Sequence, residues 1–274
     1  MSLVAFQLLV FLLGASIGSF LNVCISRWPA ELSVVAPRSR CPRCEKQIAW
    51  YDNIPLLSWV ILRAKCRGCG LPISAQYPLV EATVGALWLA SFMVFGPTLT
   101  MLRLAIVATI LLGIAITDLL HYVIPDGFTV TGFLFAMAMP IPALLLGETG
   151  PFAGPWDALI GACAGAGLIA IVGWLGEVAL GKEAMGQGDV TLMAFVGALL
   201  GPGRALLTVF VAAALASVAF VLLVAPIGWL RARRAGTEFE LPLVPFGVFL
   251  APAGLLTLLW GDALIAWYVS TMIA

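Results

Sequence analysis

Eight apolar runs, at roughly 4–26, 79–96, 98–120, 128–147, 157–180, 189–202, 204–228 and 246–270, leave this chain few ways to fold. Most are about 20 residues long, the length a helix needs to cross a hydrocarbon layer of about 30 Å. Breakers separate them: Gly96-Pro97, Pro125-Asp126-Gly127, Gly147 to Pro155, Gly201-Pro202-Gly203 and the polar stretch Arg231 to Glu240. Charged residues make up 10% of the 274 positions and hydrophobic ones 62%, whereas a soluble domain is about 25% charged. No soluble core of this size hides so much apolar surface. An outer-membrane barrel would alternate apolar and polar residues, and these runs are continuous. The expected fold is therefore all-α and polytopic, with about eight transmembrane helices. The sixth run is short, and the count becomes seven if it is re-entrant. Met1-Ser2-Leu3-Val4 lacks the basic opening of a secretory signal, so residues 1–26 read as a retained first helix.

Charge is distributed unevenly. Eight of the fourteen basic residues lie in 27–78: Arg27, Arg38, Arg40, Arg43, Lys46, Arg63, Lys65 and Arg67. This segment reads as one polar loop domain inserted between the first helix and a helical membrane domain spanning 79–274. With the loop in the cytoplasm and eight spans threaded, Lys182, Arg231, Arg233 and Arg234 also fall inside, which leaves only Arg103 and Arg204 outside. Both termini then lie outside, and the protein is expected as a multi-pass protein of a membrane bordering the cytoplasm.

The loop contains Cys41-x-x-Cys44 and Cys66-x-x-Cys69 with 21 residues between the pairs. Each pair clamps one edge of a tetrahedron, the arrangement of a structural Zn²⁺ site. Arg43 and Arg67, inside the two motifs, would offset thiolate charge. The competing reading is two disulfides or a redox pair, which a reducing cytoplasm disfavours. A loop of about fifty residues with a small core needs such a staple. Cys24 and Cys163 lie in apolar runs and read as small packing residues. The spacings Gly14-x-x-x-Gly18 and Gly161, Gly165, Gly167 read as sites of close helix packing.

Ionisable groups inside membrane segments mark candidate sites. Asp118, in "ITDLLHYVIPDGF", sits within its apolar run with no turn chemistry beside it. Asp189, in "EAMGQGDVTLMA", follows Gly186 and Gly188, and these glycines would leave room for a peptide backbone next to a catalytic acid. The threading carries both acids to the cytoplasmic membrane edge. Two facing carboxylates share a proton and titrate as a pair, which is aspartic-protease chemistry. For each acid alone, a helix cap or a snorkelling end charge is the plainer reading. Asp126, between Pro125 and Gly127, reads as the N-cap of the fourth span and as support for the site. His121 reads as a solvated interfacial residue. No His-Glu-x-x-His motif is present.

Together these residues resemble the bacterial type IV prepilin peptidases, bifunctional leader peptidase/N-methyltransferases of the GxGD aspartic type. The matching pieces are "GSFLNVCISRWP" at 18–29, the stretch 37–70 with its two CxxC motifs, "YPLVE" at 77–81, Asp118 with "IPD" at 124–126, and "EAMGQGDVTLMAFVGA" at 183–198. The final third matches mainly in hydropathy. The resemblance implies cleavage of the basic leader of prepilins or type II secretion pseudopilins by Asp118 and Asp189 at the cytoplasmic face. It implies N-methylation of the new N-terminal residue, usually phenylalanine, from S-adenosylmethionine. The Cys41, Cys44, Cys66, Cys69 loop is linked to that second activity. Arg27 and Glu81 are candidates for the cofactor-binding residues, and no Rossmann fingerprint exists. The expected partners are the prepilin and membrane lipid, with no nucleic acid. Gly-rich, loosely packed helices would admit the substrate helix sideways. Ala64 stands where the family usually has Gly, and Gln76 where it usually has Arg. A peptidase without methyl transfer is therefore an alternative. From other classes, a proton-coupled transporter with a zinc docking loop and a membrane scaffold are alternatives.

Overall fold

The computed structural model describes residues 2–148, 150–181, 185–238 and 244–272. Among these, regular structure is helical apart from two isolated β-bridges. Seven helical stretches are long and apolar enough to cross a membrane: Leu3–Ala30, Gln76–Phe95, Leu99–His121, Asp126–Leu145, Pro155–Leu180, Pro202–Ala235 and Gly247–Met272. Two are composite. The fourth is α5 (Asp126–Ala138) followed by α6 (Pro140–Leu145), broken where Pro140 lacks the N–H that would continue the ladder. The sixth is α9 (Pro202–Ala219) joined through a π-helical turn at Phe220–Val224 to α10 (Ala225–Ala235). The others are α1 (Leu3–Arg27), α3 (Gln76–Phe95), α4 (Leu99–His121), α7 (Pro155–Leu180) and α11 (Gly247–Met272), and the short α2 (Leu57–Ile61) lies in the loop between α1 and α3. Lys182, one of the basic residues used in threading the chain, lies outside the described residues.

The eighth apolar segment is α8 (Gln187–Leu200), only 14 residues. At 1.5 Å per residue it reaches about 21 Å, short of a full crossing. Its length follows from its surroundings. Leu192, Met193, Phe195 and Val196 are completely buried by protein, so this helix meets neighbours where the others meet lipid. Among the described residues there are thus seven candidate spans by length and composition plus one short helix enclosed by protein.

The chain falls into two compact units, Met1–Gly113 and Ile114–Ala274. In the first, α1 packs along α3. A Cβ on Gly14 would meet Trp88 Cβ at 2.8 Å, and one on Gly18 would meet Glu81 Cα at 2.8 Å, so only glycine permits this approach. Trp88 Nε1 donates to Thr109 Oγ1 at 3.1 Å. Cys24 is buried, as expected of a packing residue.

In the second unit α7 runs antiparallel to α8. Gly161 faces Gly197, Gly165 faces Met193 and Gly173 faces Met185, a constant antiparallel register. A Cβ on Gly161 or Gly197 would overlap the partner helix's carbonyl oxygen. Packing at these glycines is therefore tight. The loose packing expected to admit a substrate helix is absent here, because a missing side chain lets the backbones themselves close the gap. Cys163 is exposed on α7 and is not a packing residue. Thr208 and Thr257 hydroxyls bond at 2.6 Å between α9 and α11.

Candidate functional site

The loop between α1 and α3 folds around its four cysteines through two copies of one turn, 25 positions apart. Cys41 N–H donates to the Lys46 carbonyl and Cys66 N–H to that of Leu71, at 3.0 and 2.8 Å. Glu45 and Gly70 N–H groups return to the Cys41 and Cys66 carbonyls, both at 2.9 Å. Bridges Arg40–Gln47 and Lys65–Pro72 close the two turns. The left-handed position after each second cysteine is Gly70 (φ +70°) in one turn and Glu45 (φ +56°) in the other. Each turn aims two sulfurs at one point, and all four Sγ atoms lie within 4.8 Å of one another. A tetrahedral Zn²⁺ with bonds of about 2.3 Å holds its sulfurs about 3.8 Å apart, so a small contraction seats the ion. Cys41 and Cys69 Sγ atoms are already 4.0 Å apart. The N–H groups of Cys69 and Gly68 pull the Cys66 thiol down to about 6, and those of Cys44 and Arg43 lower Cys41. The turns thus favour thiolates at Cys41 and Cys66; at Cys69 the Leu71 N–H acts the same way, but desolvation and the neighbouring thiols push it up to about 11.

The loop departs from the sequence reading at Arg67. Its guanidinium does not serve the thiolates. It grips Asp52 with two bonds of 2.7 Å and lies over the Tyr51 ring. Asp52 is held below the usual carboxylate range by that bond. Ala64 has φ +57°, a left-handed conformation that glycine adopts without strain. Alanine there costs about 1 kcal/mol.

Arg27 and Glu81 tie the loop to the helices. Arg27 donates to the Ser33 and Pro37 carbonyls at 2.9 and 2.8 Å. Glu81 Oε2 accepts the Leu56 N–H at 2.8 Å.

The two acids of interest both lie in the second unit. Asp118, 5% exposed near the end of α4, accepts the Val248 N–H on Oδ2 at 3.1 Å, and the Gly247 N–H serves the same carboxylate. Asp189 lies in the first turn of α8, where Gly186 occupies the N-cap position. Its Oδ1 is buried without a partner, and its backbone N–H donates to the Gly186 carbonyl at 3.1 Å. One residue joins the two acids. A Cβ on Gly188 would meet Ile124 Cβ at 2.9 Å, and one on Gly247 would meet both Ile124 Cδ1 and Asp118 Oδ2 at 2.7 Å. The starts of α8 and α11 therefore close on Ile124 from two sides, and the two carboxylates come within electrostatic reach of each other. Gly188 is needed for this approach, whereas a Cβ on Gly186 would make only an ordinary 3.7 Å contact with Asp189 Oδ2.

Asp126 is the first residue of α5 rather than its hydrogen-bonding cap. Pro125 holds the cap position in extended conformation, and no side chain caps the helix. The Asp126 carboxylate is exposed at the positive end of that helix, two residues after Ile124. His121 is exposed. Sequence reasoning missed Ile124 as a spacer and Gly247 as a neighbour of Asp118. The Pro245-Phe246-Gly247 break before an apolar run was the available signal.

Comparison with known proteins decides among the alternatives. Residues 12–95 match the bacterial Peptidase A24 N-terminal domain and residues 105–222 the type IV leader peptidase family. A protein of Aeromonas hydrophila named prepilin leader peptidase/N-methyltransferase is 36% identical over 97% of this chain and 94% of its own length. The chain belongs to this family. A Myxococcus xanthus protein of the same name is 42% identical over 86% of this chain and 68% of its own. One from Burkholderia pseudomallei is 35% identical over 91% and 84%. No solved structure matches. Membership and the seven apolar helices make the chain an integral membrane protein, and they set aside the transporter and scaffold readings.

Proposed function

We propose that this chain cleaves the basic leader of type IV prepilins or type II secretion pseudopilins at the cytoplasmic membrane edge, then N-methylates the exposed α-amine. Asp118 and Asp189 act as the cleaving pair. The observation that carries this reading is their convergence on Ile124, with one Asp189 oxygen buried and free of any protein partner. A proton shared between the carboxylates leaves one to take a proton from the attacking water and the other to donate to the scissile carbonyl. Neither a metal nor a covalent intermediate is required. Gly186 leaves room for an extended substrate backbone beside Asp189, while Gly188 admits Ile124.

The basic loop and Arg231, Arg233 and Arg234 support a cytoplasmic placement of the loop. A prepilin leader joins a membrane helix at that same edge, which suits acids near a helix end. The Cys41, Cys44, Cys66 and Cys69 site would hold structural Zn²⁺ and fold the loop. When bound, S-adenosylmethionine supplies the methyl group. Arg27, committed to two loop carbonyls, shapes the loop around it.

The test is a reconstituted assay with a prepilin and methyl-labelled S-adenosylmethionine. The expected result is a shortened pilin carrying label. Absence of cleavage would overturn the peptidase assignment, and cleavage without label would leave a peptidase alone. Metal analysis of protein purified without chelator should find about one zinc per chain. Cys66→Ser should lose the metal and methyl transfer together while cleavage persists, because the loop and the acids lie in separate units.

A further inference from the structure

A second group of buried polar atoms, unused in peptide cleavage, lies where α1 and α3 meet the loop. Asn22 is 3% exposed and Glu81 is 8% exposed. Asn22 Nδ2 donates to the carbonyls of Gly18 and Tyr77, at 3.3 and 3.1 Å, so its amide bridges the two helices. Its Oδ1 is buried without a partner. Glu81 lies one turn beyond Tyr77 on α3, and Ser19 one turn before Asn22 on α1. The Leu56 N–H donates to Glu81 Oε2 at 2.8 Å. Two buried acceptors thus sit one turn apart along the α1–α3 seam, and among the described residues neither has a bonded cation. An orphaned acceptor of this kind costs about 1–3 kcal/mol, and a buried carboxylate without a cation costs more. Such a cluster is completed by a ligand that brings donors and positive charge.

The loop above the cluster is also held in an unusual state. Leu56, which donates to Glu81, has φ +61° and ψ −50°, a conformation that a side-chain-bearing residue adopts at a cost. A ligand that takes over Glu81 releases Leu56 from it.

We infer that Glu81 and Asn22 seat the α-ammonium of the processed substrate, with Glu81 as the base that accepts its proton before methyl transfer. This rests on the reading that the chain methylates its product. The chemistry balances with the donor already required. The ammonium gives one proton to the Glu81 carboxylate. The freed lone pair forms the new N–C bond as the donor's S–C bond breaks, and the sulfonium leaves as a neutral thioether. The methyl donor carries an ammonium of its own, but that group does not react and needs no base. The amine that must lose a proton is the substrate's.

Glu81→Gln tests the seat, because the amide oxygen still accepts the Leu56 N–H while the base is gone. The full-length, zinc-loaded protein is given a short synthetic peptide with a free N-terminal phenylalanine, or the same peptide N-acetylated, without methyl donor. The unmodified protein should bind the free peptide roughly tenfold or more tightly, and Glu81→Gln should erase that preference. With labelled donor, Glu81→Gln should transfer methyl about a hundredfold more slowly. Leader cleavage, zinc content and donor affinity should not change. Methyl transfer at the normal rate, or a retained preference for the free amine, would overturn the seat. So would loss of donor binding, which would assign the cluster to the donor's ammonium, or loss of zinc, which would make Glu81 a structural tie. If the unmodified protein transfers no label at all, the methyltransferase reading fails and takes the proposal with it.

Discussion

Asp118→Asn and Asp189→Asn should each abolish leader cleavage, lowering turnover by about 10⁴-fold while the protein still accumulates in the membrane. Each substitution keeps the shape of the side chain. Asparagine at 118 still offers an oxygen to the Val248 N–H, so the local fold survives. What is lost is the shared proton, since an amide neither accepts a proton from water nor gives one to a carbonyl. The two losses should not add: the double variant should be no slower than either single one, because both acids serve one step. The measurement is conversion of prepilin to mature pilin by mobility shift, with membrane abundance as the control. Normal processing by either variant would remove that residue from the pair.

How far the sequence carries the site depends on how far apart its parts lie along the chain. The four thiols come in two short motifs, and a turn of a few residues aims each pair, so the metal site is legible from spacing alone. Asp118 and Asp189 are separated by much more, but each stands out because an acid in an apolar run is costly. Gly247 gives no such signal. Its neighbour Val248 bonds Asp118 across 130 residues, and a glycine before an apolar run looks like any helix start. The Asn22–Glu81 cluster is hidden for the same reason: a polar residue near a helix end reads as solvated, and only the packing of α1 on α3 buries it. The short α8 run was visible as short. Its meaning, a helix enclosed by protein, depends on which helices surround it. Ala64 shows the reverse case, where a departure noticed in sequence acquired a physical cause from its backbone angle.

Gly247→Val should lower leader cleavage by a hundredfold or more without unfolding the protein. The new Cβ would sit 2.7 Å from both Asp118 Oδ2 and Ile124 Cδ1. Something must move, and a carboxylate at the end of a side chain moves more easily than a helix backbone. Turning Asp118 away takes it off the Val248 N–H and out of register with Asp189. A misplacement of about 1 Å is enough to cost two orders of magnitude in turnover. Ile124 is the other atom in the way, and displacing it also disturbs Gly188, whose own approach depends on the same side chain. The effect should therefore fall on turnover more than on substrate affinity, and Gly247→Ala should show a smaller loss in the same direction. A positioning role and simple destabilisation separate in the second-site variant Gly247→Val with Ile124→Ala. Shortening residue 124 opens space and should restore part of the lost turnover if the defect is steric crowding at Asp118. A double variant slower than Gly247→Val alone, with abundance unchanged, would show that Gly247 does not act by placing that carboxylate.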